Sequence, residues 1–289
     1  MIRNQPHDLS TAPASGTTGA HVPVEFRLLG EFEVIRARGC PVDVGHARQR
    51  VLLASMLADA GRCVTADQLL ERAWGDERPR GGRDTLYSYL SRLRQALRSV
   101  TEVSIGRRHG GYVLHVDPMT VDLHRFRRWI DAAGRLDDVA ARPLLERATA
   151  LWHGEALTRL DTPWLNSLRE QLELQRHAAE ARLANIKLGA GLHGELVTTL
   201  VERAERHPMD EQLAGQLMLA LYRSGRAAEA LQQYRRIRHR IRQELGVEPS
   251  TPLARLHQRM LTADPTLWPS ASWNTPAGWP RGGGGTPLS

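Results

Sequence analysis

Apolar residues alternate at the start of the chain and recur at helical spacing afterwards. Val24-Glu25-Phe26-Arg27-Leu28-Leu29 alternates, Gly30 turns the chain, and Phe32-Glu33-Val34-Ile35 continues it. A period of two predicts short strands here, with a third over Pro41-Val42-Asp43-Val44. From His46 the pattern is helical: Val51, Leu52, Ala54, Ser55, Leu57 and Ala58 form an apolar face that ends at Gly61. Thr65 is placed to cap a second helix, and Gln68 three residues on completes a capping box. Leu69, Leu70, Ala73 and Trp74 line the inner side of that helix, and Gly75 stops it. A third helix over 83–98 carries Leu86, Leu90, Leu93 and Leu97 at steps of four, three and four, a single apolar stripe. Asp84, Ser88, Ser91 and Gln95 fall opposite the stripe, with Thr85, Tyr89 and Arg92 on one flank and Arg94 and Arg98 on the other. Ile105-Gly106-Arg107-Arg108-His109-Gly110-Gly111-Tyr112-Val113 then reads as a tight β-hairpin with a basic tip, within 103–116.

After Asp117-Pro118 the strand signals vanish. Helices are predicted near 122–133, 137–152, 164–189, 194–206, 210–224, 226–245 and 251–262. Leu188-Gly189-Ala190-Gly191-Leu192-His193-Gly194-Glu195 aligns with Tyr222-Arg223-Ser224-Gly225-Arg226-Ala227-Ala228-Glu229 at an offset of 34, and Leu200 with Tyr234 at the same offset. That period is the one of tetratricopeptide-type helical hairpins, whose inner faces need neighbouring hairpins to cover them. In the helix over 226–245, Leu231, Tyr234, Ile237, Ile241 and Leu245 form the expected core stripe, and six Arg with His239 lie outward. The chain therefore divides into an α+β domain at 23–117 and an all-α domain at 118–264. Tails at 1–22 and 265–289, rich in small residues, Pro and Gly, are expected to be disordered.

Charge sharpens this picture. The 289 residues carry a formal +7 and a sequence pI near 10.2. From Arg80 to His109, seven Arg face only Asp84 and Glu102, a local net of +5. An Arg-rich outer helix face followed by a basic hairpin suggests a winged helix docking on DNA, because cationic forks, hydroxyls and amides pair with phosphates and base edges. An amphipathic helix with an ordinary solvated face fits the third helix alone equally well. Cys40 and Cys63 have no CxxC companion, and the twelve His are scattered, so neither a disulfide framework nor a metal or cofactor site is indicated. Nothing approaches the ~18 apolar residues of a membrane span, so no membrane partner is expected; with DNA as the expected partner, the expected location is cytoplasmic, at the nucleoid.

The runs Ala73-Trp74-Gly75-Asp76, Asp84-Thr85-Leu86, Ser91-Arg92-Leu93-Arg94-Gln95-Ala96-Leu97 and Gly110-Gly111-Tyr112 resemble the winged-helix domain of OmpR-type regulators. Pro163-Trp164-Leu165, Leu219-Ala220-Leu221-Tyr222-Arg223-Ser224-Gly225-Arg226 and Glu244-Leu245-Gly246-Val247-Glu248-Pro249-Ser250 resemble the bacterial transcriptional activation domain. In this order the two halves are similar to the Streptomyces antibiotic regulatory protein (SARP) family. The resemblance implies a mainly α protein, with an N-terminal α+β winged helix and a tetratricopeptide-like second domain. It also implies an activator of a secondary-metabolite gene cluster. Such a protein binds double-stranded promoter DNA at direct repeats as a head-to-tail homodimer and recruits RNA polymerase holoenzyme through its sigma factor or another subunit.

By the same resemblance Arg92 lies in the major groove, and Thr85, Tyr89 and Arg94 contact backbone or base edges. Trp74 donates its indole N–H to a phosphate, and Arg108 enters the minor groove. Arg83, Ser88 and Arg107 complete the candidate DNA-binding set on the outer helix face and the hairpin tip. Asp84 stands where the family usually has Asn, a carboxylate that needs Arg83 or Arg80 beside phosphates. His109 stands where Pro is common. Trp74 fits a core aromatic as well as a phosphate donor, and Tyr89 fits partial core packing as well as a DNA contact. Arg48 and Arg50 read first as solvated surface and only second as phosphate contacts.

Competing functions have weaker support. GxxxxGK[ST], HExxH and GxSxG are absent, so no enzyme is expected, and no ATPase or receiver domain is found in the sequence. A helical-repeat scaffold, or a repressor that binds a protein partner or ligand through the second domain, remains the alternative reading.

Overall fold

A computed structural model describes residues 24–36, 39–98, 100 and 103–268. The expected tail at 1–22, and the part of the C-terminal tail from 269 on, lie outside the described residues. The chain divides into two compact units. One takes the described residues up to Leu28 and from Phe32 to Val121; the other takes Leu29–Glu31 and those from Asp122 on.

In the first unit, β1 (Glu25–Arg27), β2 (Glu33–Arg36) and β3 (Cys40–Pro41) form an antiparallel sheet in that order, with Phe26 opposite Val34. Phe26, Leu28, Phe32 and Val34 are buried, as the alternation requires. The third strand is shorter than expected. Val42 N still donates to Val34 O at 2.8 Å, but Asp43 Oδ1 then accepts from Gly45 N and the chain turns away. Helix α1 (Ala47–Ala58) also departs from its pattern: Leu53 and Met56 are buried with the six expected positions, so residues 51–58 have no solvent face. Such a helix forms the centre of a domain.

Strand β4 (Cys63–Thr65) leads into α2 (Ala66–Trp74). Thr65 Oγ1 accepts from Gln68 N at 3.1 Å, and Gln68 Oε1 accepts from Thr65 N at 2.9 Å. This reciprocal cap supports the helix start by about 1 kcal/mol. After α3 (Gly82–Leu97), β5 (Ser104–Arg108) and β6 (Gly111–His115) form the hairpin, and β4 adds to it in the order β4-β6-β5. The sequence pattern did not show β4, because its three residues carry only one buried side chain, Val64. Gly111 is fixed by this sheet: a Cβ there would stand 2.5 Å from Val64 O.

The second unit begins with Leu29–Glu31. Leu29 N donates to the buried Asp122 carboxylate at 2.9 Å, and Leu29 O and Gly30 O accept from His153 N and Thr158 N at 2.9 and 3.1 Å. Its helices are α4 (Asp122–Ala133), α5 (Asp138–Thr149), α6 (Pro163–Gly189), α7 (His193–Arg206), α8 (Glu211–Arg223), α9 (Ala227–Leu245) and α10 (Thr251–Leu261). Asp137, Thr162 and Asp210 cap α5, α6 and α8 through side-chain oxygens.

The 34-residue period is visible in the backbone. Gly191 N donates to Leu188 O and Leu192 N to Lys187 O, at 3.1 and 2.9 Å. One period on, Gly225 N donates to Tyr222 O and Arg226 N to Leu221 O, at 3.0 and 2.9 Å. Gly191 and Gly225 have φ of +78° and +77°, a conformation that costs other residues strain. Leu200 and Tyr234, the equivalent positions on α7 and α9, are both in the core. On α9 the inner stripe is Ala230, Tyr234, Ile237 and Ile241, with Leu231 partly buried. Leu245 departs from expectation at 59% exposure, because it lies at the last turn of α9, beyond the core. The ordered chain also runs past the expected boundary at 264: Pro265–Leu267 forms a 3-10 turn whose Leu267 is buried, and Arg223 Nε donates to its carbonyl at 2.6 Å.

Candidate nucleic-acid interface

Helix α3 is rolled into place by its leucines. Leu86, Leu90, Leu93 and Leu97 are each at most 2% exposed, and trimming any of them to Ala costs about 2–5 kcal/mol. With that stripe inward, Arg83, Asp84, Ser88, Ser91, Arg92, Gln95 and Arg98 are exposed. Thr85, Tyr89 and Arg94 are half-buried on the flanks. The outer surface of α3 is therefore polar along its length, apart from Tyr87, which tilts over Tyr112 of β6 with ring centroids 6.4 Å apart.

The candidate residues fall into two groups. Arg83, Ser88 and Arg92 on α3 and Arg107 and Arg108 at the hairpin tip are exposed. The Arg92 guanidinium carbon lies 5.9 Å from the centre of the Tyr89 ring. The others are held within the unit. Tyr89 stacks on the half-buried Trp74 of α2, with centroids 5.9 Å apart and planes at 9°. Thr85 Oγ1 reaches back to Gly81 O at 3.5 Å. Arg94 donates its Nε to Ile105 O of β5 at 2.9 Å, and its guanidinium lies over the Tyr112 ring. Arg94 thus ties α3 to the hairpin, a connection that helix periodicity could not show.

Arg83 pairs with Asp67 of α2 at 3.1 Å, in place of the neighbouring Asp84. The hydrogen bond that Arg83 donates to Asp67, together with the Asp67 charge, raises the Arg83 pKa above the ordinary value. Burial pushes the Tyr112 phenol up, Tyr87 adds to the rise, and Arg107 and Arg94 oppose it. At the tip, Arg108 lies opposite Gly111 in the ladder, and Cys63 Sγ donates to Arg108 O at 3.7 Å.

Arg48 and Arg50 are not the solvated residues that their position suggested. Arg48 donates to Ala73 O, Arg50 donates to Phe32 O at 2.6 Å and lies over the Phe32 ring, and both are half-buried. They join α1 to α2 and to the end of β1–β2. Their partners are carbonyls distant in sequence, so no local pattern signals the role.

The site can present cations, hydroxyls and amides to an anionic surface. Among the described residues, no group of His, Cys, Asp and Glu could hold a metal ion, and no helix is long and apolar enough to cross a membrane. Cys40 and Cys63 are both free and exposed.

Residues 44–114 match the family described as transcriptional regulatory protein, C terminal, and residues 121–261 match the bacterial transcriptional activator domain. Regulatory protein AfsR of Streptomyces griseus is 38% identical over 84% of this chain, which spans 25% of AfsR's length. Regulatory protein DnrI of Streptomyces peucetius is 32% identical over 84% of this chain and 94% of its own. Transcriptional regulator RedD of Streptomyces coelicolor is 32% identical over 89% of this chain and 78% of its own. Among solved structures, Mycobacterium tuberculosis EmbR in complex with a low-affinity phosphopeptide superposes with a TM-score of 0.74 at 28% identity, covering 84% of this chain and 66% of EmbR.

Proposed function

Because this chain belongs to the Streptomyces antibiotic regulatory protein family of transcriptional activators, we propose that it switches on a secondary-metabolite gene cluster by binding promoter direct repeats and recruiting RNA polymerase. The observation that carries the DNA half of this reading is the polar outer face of α3 beside a hairpin whose tip exposes Arg107 and Arg108. A helix of this kind enters a major groove, and a basic hairpin reaches the neighbouring minor groove or phosphates.

In this reading Arg92 reads a base edge and Ser88 supports it. Arg83 and Thr85 lie toward the backbone at the start of α3, and Arg107 and Arg108 add affinity from the wing. The helical unit makes the contacts to polymerase and to a second copy, since helical-hairpin repeats present extended surfaces to other proteins.

Selection of bound duplexes from a random pool supplies the operator. Arg92→Ala is then expected to lose about 1–3 kcal/mol on the operator and little on scrambled DNA, titrated at one salt concentration. Equal loss on both assigns Arg92 to a phosphate, and no loss removes it from the interface. Head-to-tail pairing on one DNA face requires sites spaced by about one helical turn, ~10–10.5 bp. Inserting half a turn between the repeats is expected to abolish cooperative binding; cooperativity that survives points to independent monomers. Footprints with and without RNA polymerase test recruitment, and an unchanged polymerase boundary favours a repressor or scaffold.

A further inference from the structure

Trp74, Tyr89 and Arg92 form one continuous stack that joins the end of α2 to the outer face of α3. The Trp74 and Tyr89 rings are nearly parallel at 9°, and the Arg92 guanidinium lies over the Tyr89 ring, with 5.9 Å at each step. Trp74 and Tyr89 are half-buried, whereas Arg92 is exposed. The aromatic pair is thus held by the fold and the cation is not. A free arginine side chain loses considerable rotamer freedom when it docks against a base. Attraction between a guanidinium and an aromatic face opposes that freedom before any ligand arrives.

We infer that Trp74 and Tyr89 are positioning residues for DNA specificity: they hold the Arg92 guanidinium in the pose that reads a base edge. This rests on the reading of Arg92 given above. It assigns the two aromatic residues a role other than a direct phosphate contact. Trp74 acts from a different helix, two contacts away from the base, through the ring of Tyr89. The residue types fit the role. Tyr89 lies three positions before Arg92, so both share one flank of α3, and Trp74 is the last residue of α2, where α2 gives way to the loop before α3. Only the ring faces are needed, so the phenolic hydroxyl of Tyr89 is dispensable for positioning, which a phosphate contact through that hydroxyl would not allow.

The test is a double-mutant cycle on the full chain, read as the ratio of affinities for operator and scrambled duplexes. Trp74→Leu and Tyr89→Leu are each expected to lower that ratio about two- to tenfold with scrambled-DNA affinity unchanged. Tyr89→Phe and Trp74→Phe, which keep the stack, are expected to retain it. In an Arg92→Ala background, Trp74→Leu is expected to lower the ratio no further. A loss of scrambled-DNA affinity in the Leu variants, beside an intact far-ultraviolet spectrum and thermal transition, would make the rings direct DNA contacts and overturn the inference. The same holds if Trp74→Leu keeps its full effect without Arg92, or if Tyr89→Phe behaves like Tyr89→Leu. If instead Arg92→Ala alone leaves the ratio at the wild-type value, the DNA reading of Arg92 fails first and the inference fails with it.

Discussion

Two arginines, one ten residues before the hairpin and one at its tip, illustrate why charge alone does not assign a role. Arg94 and Arg108 both belong to the basic run, yet Arg94 spends its Nε on Ile105 O and lies over Tyr112, while Arg108 is exposed. Their substitutions are expected to differ. If Arg108 contacts a phosphate as proposed, Arg108→Ala is expected to make the slope of log K against log salt shallower by about 0.9 without changing the thermal transition. Arg94→Ala removes the tie between α3 and the wing, lowering stability by about 1 kcal/mol and disturbing the wing's contribution as well. Salt titrations and urea denaturation of the two variants check both outcomes. An Arg94→Ala protein with wild-type stability and a reduced salt slope places Arg94 on the DNA instead.

Elements were legible in the sequence to the extent that one face of each is apolar. Helices α4 to α10 fall within a few residues of their expected bounds because each has an apolar face and most have a capping residue or a glycine turn. What was not legible is held by backbone groups or by short segments: β4, the early end of β3, and the Arg48 and Arg50 contacts to carbonyls. The stack of Trp74 on Tyr89 was likewise hidden, since it joins two helices across a loop. The last helix supplies a pH-dependent expectation. His257 of α10 stacks on Tyr234 of α9 with centroids 3.9 Å apart. Burial lowers the His257 pKa below 6.5, helped by Arg235 and Arg238. A histidine so lowered contributes fully above its unfolded value. That contribution is lost as pH falls below 6.5, because the unfolded chain takes up the proton first. The urea midpoint is therefore expected to drop between about pH 7.5 and 5.5, and to drop less in His257→Phe, which keeps a ring against Tyr234. His193, also lowered chiefly by burial, acts in the same direction, so equal drops in both proteins would remove His257 from the account.

At the scale of the whole molecule, the boundary between units is not a single point in the sequence. The alternating pattern assigned residues 24–35 to the first domain, but Leu29–Glu31 belong to the second, through hydrogen bonds from main-chain groups that leave no side-chain signature. A fragment ending at Val121 is expected to retain α3 and the wing, and to bind DNA. It also leaves Leu29 N, Leu29 O and Gly30 O without Asp122, His153 and Thr158. At roughly 1 kcal/mol for each bond, stability should fall by about 3 kcal/mol, measurable by urea denaturation against the full chain. If the helical unit is the activating part, the fragment should fail to stimulate transcription by purified polymerase even at concentrations that saturate the promoter. Full stimulation would leave that unit a pairing or sensing module. The tripeptide also bears on how such genes can recombine. A single crossover that grafts the reading head of one regulator onto the body of another transfers residues 29–31 with the wrong parent. A faithful exchange needs two further junctions, or a donor that already spells those three positions compatibly, so inheritance of the two units is linked by a stretch of nine nucleotides.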